Sequence, residues 1–291
     1  MFWSENQKLL NLHKICFIAG ILALSFALVV PAQAQQVNIP SFWDKNERFE
    51  KPDLSKIPRF RFLTTTDFPP FNFIDRKKRL SGFHIDLARA ICLELEMLNR
   101  CQIQALPWEE LQKTLKEGNG EAIIAGLAVT PEARKELSFS RPFLQIPARF
   151  VTRKDSGLTA PVFEALFRKK TGVIEGSAHK AYFENVFSAR TVEVFPTRDA
   201  ALKALQEKKV EAVFSDAVSL SFWLGSASAN DCCTFLDGPF SSEKYFGNGL
   251  AIALPKERPE LVSAVNFALS QINKKGTFAE LYLRYFPMGL F

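Results

Sequence analysis

The chain has few of the residues that usually hold metal ions. Its 291 residues include three histidines and five cysteines. It contains no CxxC pair, and His84 and His179, the histidines beyond residue 34, lie far apart in sequence. Zinc sites usually show cysteines and histidines at short, fixed spacings. The sequence therefore predicts no metal site, and nothing in it points to a cofactor.

Basic residues are not concentrated in any one segment. The chain carries 37 Lys and Arg against 31 Asp and Glu, a formal net charge of +6 at pH 7. These charges are spread along the sequence, whereas nucleic-acid-binding proteins usually cluster them on one face or helix. A solvated basic surface explains the charge balance, and no nucleic-acid partner is expected.

Beyond its N-terminus the sequence has no apolar run long enough to cross a membrane. Residues 15–30 are almost wholly apolar, Lys8 and Lys14 precede this run, and residues 32–34 read Ala-Gln-Ala, a small-x-small cleavage site. The run is shorter than the ~20 residues of a spanning helix, although an uncleaved anchor is the alternative. The sequence predicts a cleaved signal peptide over residues 1–34 and a periplasmic location.

Export to the periplasm permits disulfide bonds. Cys92 lies in a stretch with helical periodicity and Cys101 begins the next predicted strand, so a short loop can bring them together. A Cys92–Cys101 bridge is predicted. Adjacent cysteines rarely bond each other because the geometry is strained, so no bond is expected between Cys232 and Cys233, and their redox state stays open.

Strand and helix patterns alternate twice along the chain after an irregular leader over residues 35–56. Such β-α-β-α-β-α alternation predicts an α/β fold with mostly parallel sheets and helices on both faces. The predicted strands are Arg61–Thr65, Gln102–Leu106, Ala122–Ala125, Gly172–Ile174, Val192–Phe195 and Val210–Phe214.

Two such halves predict two lobes with a cleft between them, faced by the carboxyl ends of the strands. Residues 57–148 together with 248–291 are expected to form lobe one, which is discontinuous in sequence. Residues 149–247 are expected to form lobe two. The connections between the lobes are predicted near Ile146–Arg153 and Ser241–Asn248.

Six motifs follow one another at regular intervals: PPFNF, GFHIDL, PWEEL, TPEARKELSFS, KVEAVFSD and GTFAELYLRYFP. With them the chain resembles the family 3 extracellular solute-binding proteins, periplasmic receptors for polar amino acids that feed ABC importers. The similarity runs from about Phe60 to Pro287. It implies a two-lobe periplasmic-binding-protein fold of type II that closes by hinge motion, a monomer, and a permease partner in the inner membrane.

The resemblance also implies a set of ligand-binding residues. It places the ligand's α-ammonium on Asp216, which is alternatively an ordinary helix N-cap. Phe68 and Trp108 fall where aromatic walls flank the ligand's side chain and would suit a planar, aromatic or cationic group, although core packing is the alternative for both.

Four further positions are candidates through the same resemblance. Thr65 aligns with a polar pocket position or simply ends its strand. Backbone groups at Gly126 and Ala128 are expected to contact the ligand, unless they merely end a strand. Ser177 offers its hydroxyl and nearby N–H groups to a carboxylate, and plain helix capping explains it equally well.

The chain departs from the family where the ligand's carboxylate is usually bound. The family has Thr-Pro-Glu-Arg, whereas residues 130–134 read Thr-Pro-Glu-Ala-Arg. Ala133 therefore takes the position of the clamping arginine, and Arg134 comes one residue later. Ala128 replaces a common Ser or Thr. Two hypotheses stay open: the ligand is an amine or modified amino acid held by Asp216, or Arg134 reaches the cleft.

Two other functions are compatible with the same fold. Cyclohexadienyl dehydratases resemble these receptors, and such an enzyme would need a general acid in the cleft, for which Glu175 and Glu109 are the nearest candidates. The histidines His84 and His179 have no evident catalytic partners. A ligand-responsive accessory or sensor protein is the third class. We expect a binding protein and not an enzyme.

Overall fold

The computed structural model describes residues 39–40, 43–44, 46–188, 190–287 and 289–291. All of them belong to one compact unit, Val37–Phe291. The predicted signal peptide over residues 1–34 lies outside the described residues.

Strands and helices alternate through this part of the chain. Its thirteen strands are β1 (Phe60–Thr64), β2 (Asp67–Phe68), β3 (Asn72–Ile74), β4 (Leu80–Ser81), β5 (Cys101–Ala105), β6 (Ala122–Ile123), β7 (Leu137–Phe139), β8 (Ala148–Arg153), β9 (Lys170–Ile174), β10 (Thr191–Phe195), β11 (Ala212–Asp216), β12 (Cys233–Phe240) and β13 (Ala253–Pro255). Its ten helices are α1 (Phe83–Glu94), α2 (Trp108–Lys116), α3 (Ala133–Glu136), α4 (Val162–Ala165), α5 (Ala178–Val186), α6 (Arg198–Gln206), α7 (Ala217–Leu224), α8 (Glu243–Phe246), α9 (Pro259–Lys274) and α10 (Thr277–Tyr285).

The first lobe is built on a five-stranded sheet with the order β5-β1-β6-β13-β7. The first three strands are parallel, and β13 runs antiparallel to both of its neighbours. Side chains alternate across β1, so Phe60 and Phe62 pack under α1, α9 and α10, while Leu63 packs with α2 on the other face. The predicted arrangement of helices on both faces is confirmed for this lobe.

The second lobe repeats this plan with the strand order β10-β9-β11-β8-β12. Strands β10, β9 and β11 are parallel, and β8 is antiparallel to β11 and β12. Phe150 and Phe214 lie on one face with α5, whereas Val151 and Val213 lie on the other with α6 and α7. Full burial of each such side chain contributes about 1.5–3 kcal/mol to folding.

Two chain segments cross between the lobes side by side. Leu144 and Leu250 form an antiparallel bridge, and β8 of the second lobe begins soon afterwards at Ala148. Gly249 has φ +96°, and a Cβ there would come within 2.7 Å of the Leu144 carbonyl oxygen. The crossing therefore needs glycine at this position, as expected for the return connection.

The leader packs on the first lobe. In the described parts of residues 35–56 there is no strand or α-helix, which fits the irregular segment predicted from sequence. Trp43 and Leu54, with Ile57 just beyond, are buried in the core formed by β1, α1, α9 and α10. The leader thus adds apolar contacts to the lobe that carries the chain's C-terminus.

The structure contains two disulfides among the described cysteines. The predicted bridge joins Cys92 at the end of α1 to Cys101 at the start of β5. A second bond joins the neighbours Cys232 and Cys233, which differs from our expectation. That expectation considered only the strain in the ring that a bond between adjacent cysteines closes. The pair lies where a turn, with positive φ at Asn230, meets the first residue of β12, so the backbone here is not that of a regular strand.

Candidate ligand-binding site

The candidate site in the second lobe forms at the carboxyl ends of its parallel strands. Strands β9, β10 and β11 end at the same edge of the sheet, and α5, α6 and α7 begin there. Asp216, the last residue of β11, pairs in register with Ala148, the first residue after the crossing from lobe one. This edge therefore adjoins the connections between the lobes and faces the cleft.

Within the described part of the chain, three groups donate hydrogen bonds to the Asp216 carboxylate: the backbone N–H of Ser219, the guanidinium of Arg198 and, at 3.4 Å, the hydroxyl of Ser215. Its Oδ1 accepts the Ser219 backbone N–H at 2.7 Å, so the carboxylate caps α7. Its Oδ2 accepts a hydrogen bond of 3.0 Å from Nη2 of Arg198, and the Asp216 side chain is 21% exposed. The capping role considered from sequence is real, and it leaves part of the carboxylate accessible to a ligand.

His179 lies close to this ion pair. Its ring stacks on Phe246 with centroids 4.9 Å apart. Burial lowers the pKa of His179, and the positive charge of Arg198 lowers it further, while Asp216 acts in the opposite direction. The site thus combines a carboxylate, a guanidinium and a histidine that favours its neutral form.

Phe68 and Gly126 come together in the first lobe. Gly126 has φ +81°, and a Cβ there would lie 2.8 Å from Cε1 of Phe68. Phe68 is half-buried and stacks on Phe71 at 4.7 Å between ring centroids. Phe68 therefore packs partly in the core, and its contact with a ligand stays a prediction.

Trp108 and Thr65 line one cavity of about 330 Å³. Trp108 begins α2 and is 49% exposed, so it is not a core residue. Asp67, which the sequence analysis did not select, lines the same cavity and is exposed. An indole face and a carboxylate in one cavity suit a cationic group.

Thr65 is held by a buried chain of hydrogen bonds. Asn72 donates from Nδ2 to Oγ1 of Thr65 at 2.7 Å, and its Oδ1 lies 2.8 Å from Nδ1 of His84. His84 is completely buried, and burial lowers its pKa to about 3, so the ring is neutral near pH 7. A neutral ring with its proton on Nδ1 donates to Asn72. Thr65 then accepts from Asn72 through its hydroxyl oxygen, while the residue also lines the cavity.

Ala128 lies in a second cavity, of about 340 Å³. Residues 126–130 form one wall, and Tyr245 and Phe246, beside the return crossing, contribute to the other. Because Phe246 also stacks on His179, this cavity connects the Gly126 loop with the surroundings of Asp216. Of the predicted residues, Gly126 and Ala128 line this cavity, whereas Asp216 and Ser177 do not.

Arg134 and Ala133 are not part of either cavity. The guanidinium carbon of Arg134 lies 5.7 Å from the centroid of the Phe139 ring, and the side chain is exposed. Ala133 packs against the apolar cluster on the α2 face of the sheet, and its N–H is capped by Thr130. These contacts give no support to Arg134 as the partner of a ligand carboxylate.

Ser177 caps α5 in the structure. Its Oγ accepts the Lys180 N–H at 3.1 Å and donates to the Ile174 carbonyl at 2.7 Å. The hydroxyl is therefore used in both directions by the backbone. A ligand at this helix terminus would have to contact other groups.

Arg198 is the residue of this region that sequence reasoning missed. It follows Thr197, whose hydroxyl caps α6 by accepting the Ala200 N–H. Asp216 was selected through the family resemblance, which pointed to no residue at the start of α6, although Arg198 also lies just beyond the carboxyl end of a parallel strand. Its signal was present in the sequence, but the pairing with Asp216 depends on the strand order.

The candidate acids for an enzyme are both exposed. Glu175 lies 3.5 Å from Nζ of Lys180, and Glu109 is in the first turn of α2.

Across residues 39–291, as far as they are described, no cluster of His, Cys, Asp and Glu could hold a metal ion. No helix in that same part of the chain is long and apolar enough to span a membrane.

Comparison with known proteins identifies the family. A family model, bacterial extracellular solute-binding proteins, family 3, matches residues 60–288. The "Putative ABC transporter arginine-binding protein 2" of Escherichia coli K12 is 30% identical, over 78% of this chain and 90% of its own length. The "Lysine/arginine/ornithine-binding periplasmic protein" of the same strain is 28% identical, over 79% and 88%.

A solved structure shares the fold. The "Ancestral Cationic Amino Acid Solute Binding Protein" aligns with a TM-score of 0.62 and 26% identity, over 80% of this chain and 97% of its own. The proteins compared here are binding proteins, which does not favour the dehydratase alternative. The chain therefore belongs to the bacterial extracellular solute-binding proteins, family 3, and is a solute-binding protein with the two-lobe periplasmic-binding-protein fold.

Proposed function

We propose that the protein captures a cationic amino acid in the cleft between its lobes. The observation that carries this proposal is the carboxylate of Asp216, at the end of β11 beside the lobe crossings and 21% exposed. Arg198 already pairs with this carboxylate, and the part of it that stays exposed can accept an α-ammonium group as a second charged hydrogen-bond donor. Its position in the sheet is the one from which a ligand can be held by both lobes.

The side chain of the ligand would occupy the cavity beside Trp108. That cavity of about 330 Å³ offers an exposed indole face, the Asp67 carboxylate and the hydroxyl of Thr65. Phe68, with Gly126 behind it, would form the second aromatic wall. A planar cation can stack on the indole and pair with Asp67. The similarity to an arginine-binding protein and to a lysine/arginine/ornithine-binding protein supports this choice.

The same proposal includes the place and partner of binding. The protein would act in the periplasm after removal of residues 1–34, as a monomer and without catalysing a reaction. It would deliver its ligand to an ABC permease in the inner membrane. The periplasmic relatives and the apolar N-terminal run support these points. The lobe boundaries given above, 57–148 with 248–291 and 149–247, are part of the proposal.

A thermal-shift screen tests the proposed function. The mature chain is refolded to remove bound ligand and mixed with amino acids, polyamines and related amines. A ligand at 100 times its Kd adds about 2.7 kcal/mol of stability. We expect arginine, lysine or ornithine to raise the melting temperature, and glutamate to leave it unchanged because Asp216 and Asp67 repel a second carboxylate. No shift with any amino acid or amine would contradict the proposal.

A further inference from the structure

We propose that Arg198 binds the α-carboxylate of the ligand, so that the preferred ligand is a complete amino acid and not its decarboxylated amine. This inference rests on the proposed function and specifies how its site works. It replaces both hypotheses that the sequence left open for the carboxylate. The ligand can keep its carboxylate, and Arg134 does not have to move into the cleft to bind it.

Arg198 is placed where it spans the ligand-binding edge of the second lobe. It is the first residue of α6, three residues beyond the last residue of β10, whereas Asp216 ends β11. Strand β9 lies between these two strands. The Arg198 side chain must therefore cross the end of β9 to reach Asp216, and it does so with a contact of 3.0 Å. The two opposite charges lie side by side at one edge.

The guanidinium retains donors for a second partner. An arginine side chain has five N–H donors in one plane, a geometry that matches a carboxylate. Within the described part of the chain, the hydrogen bond from Nη2 to Asp216 is the one that Arg198 makes through its side chain. The side chain is 42% exposed. A carboxylate can therefore approach the guanidinium without breaking the ion pair.

Charge balance favours a zwitterionic backbone on the ligand. Asp216 and Arg198 together are neutral, so an amine docked between them would leave one positive charge uncompensated in the closing cleft. An amino acid presents its ammonium to Asp216 and its carboxylate to Arg198, and each charge is then paired. Enclosing an unpaired charge is costly, which makes the amino acid the better match.

Other cations near the cleft are engaged elsewhere. Arg134 lies against Phe139, and the guanidinium carbon of Arg149 lies 4.1 Å from the centroid of the Phe235 ring. Nζ of Lys180 is 3.5 Å from carboxylate oxygens of both Glu175 and Glu184. The ion pair with Asp216 therefore distinguishes Arg198 from these three residues.

Matched ligand pairs test the role of Arg198. Each pair is an amino acid and its decarboxylated amine: arginine with agmatine, lysine with cadaverine, and histidine with histamine. Titration calorimetry measures Kd for the refolded wild type and for Arg198→Gln, Arg198→Lys and, as a matched control, Arg134→Ala. Melting temperatures check that each variant folds.

For the amino acid of the pair that binds, we expect Arg198→Gln to raise Kd roughly 10- to 100-fold, as for loss of a charged hydrogen bond. The Kd of its amine should change by less than about 3-fold, since the amine makes no contact with Arg198. Arg198→Lys should fall between wild type and Arg198→Gln because it keeps the charge but not the fork. Arg134→Ala should change neither the Kd of the amino acid nor that of its amine.

Three results would overturn the inference. In the first, Arg198→Gln weakens the binding of the amino acid and of its amine by the same factor. In the second, Arg134→Ala, and not Arg198→Gln, weakens the binding of the amino acid alone. In the third, the wild type binds the amine more tightly than the amino acid. A wild type that binds no member of any pair would instead contradict the proposed function itself. The two failures are therefore distinguishable.

Discussion

Acid is expected to destabilise the first lobe through His84. The ring is fully buried among Phe71, Phe83 and Phe143, and its Nδ1 is hydrogen-bonded to Asn72. Burial lowers its pKa from 6.5 to about 3. The folded protein therefore holds this histidine neutral at pH values where the unfolded chain protonates it.

The sign and size of the effect follow from proton linkage. Because the folded pKa lies below the unfolded one, the contribution of His84 to stability is complete above about pH 6.5 and is lost as the pH falls towards 3. One pKa unit corresponds to about 1.4 kcal/mol, so the whole contribution is about 5 kcal/mol. About 2 kcal/mol of it is lost between about pH 7.5 and 5.

Urea unfolding at these two pH values measures this contribution. We expect wild type to lose about 2 kcal/mol more than His84→Gln on going to the lower pH. The pKa of His179 is also lowered, so it destabilises in the same direction in both proteins and cancels in the difference. His179→Gln is the matched variant and should keep the His84 contribution. Equal pH dependence in wild type and His84→Gln would refute the reasoning.

Three substitutions test the site itself. Asp216→Asn keeps an N-cap, so unfolding free energy should change by less than about 1 kcal/mol while Kd for the bound amino acid rises about 10- to 100-fold; unchanged affinity would leave Asp216 as a cap alone. Gly126→Ala and its control Gly118→Ala both place alanine at positive φ, so each should lower the free energy of unfolding by about 1–2 kcal/mol. Only the alanine at position 126 meets the Phe68 ring, so only Gly126→Ala should weaken ligand binding. Equal affinities in these two variants would contradict the contact. Trp108→Ala should leave the melting temperature nearly unchanged and raise Kd for arginine about 2- to 30-fold, as expected for a lost cation–π contact.

The parallel strands were the most predictable part of the fold. β1, β9 and β11 are buried on both faces and are bounded by turns and helix caps, which produces a clear apolar pattern. The antiparallel strands β7, β8, β12 and β13 were not assigned as such. Their place depends on pairing with strands distant in sequence, for example Ala253 with Phe139, which local pattern does not encode.

Single residues of the candidate site were predictable from the sequence, whereas the contacts between them were not. Asp216 and Trp108 were selected through the family resemblance, and the structure leaves the side chains of both partly accessible. The contact between Arg198 and Asp216 was not predictable, because it follows from the order β10-β9-β11. The same holds for the hydrogen bonds from His84 through Asn72 to Thr65, which join α1, β3 and the residue after β1.

A crystal structure of the refolded mature protein with its most stabilising amino acid would test the central claim most directly. We expect the ligand between the lobes, with its ammonium within hydrogen-bonding distance of Asp216 and its carboxylate against Arg198. Its side chain should lie beside Trp108 and Asp67. A ligand bound outside this cleft, or one whose ammonium does not contact Asp216, would contradict the proposed site.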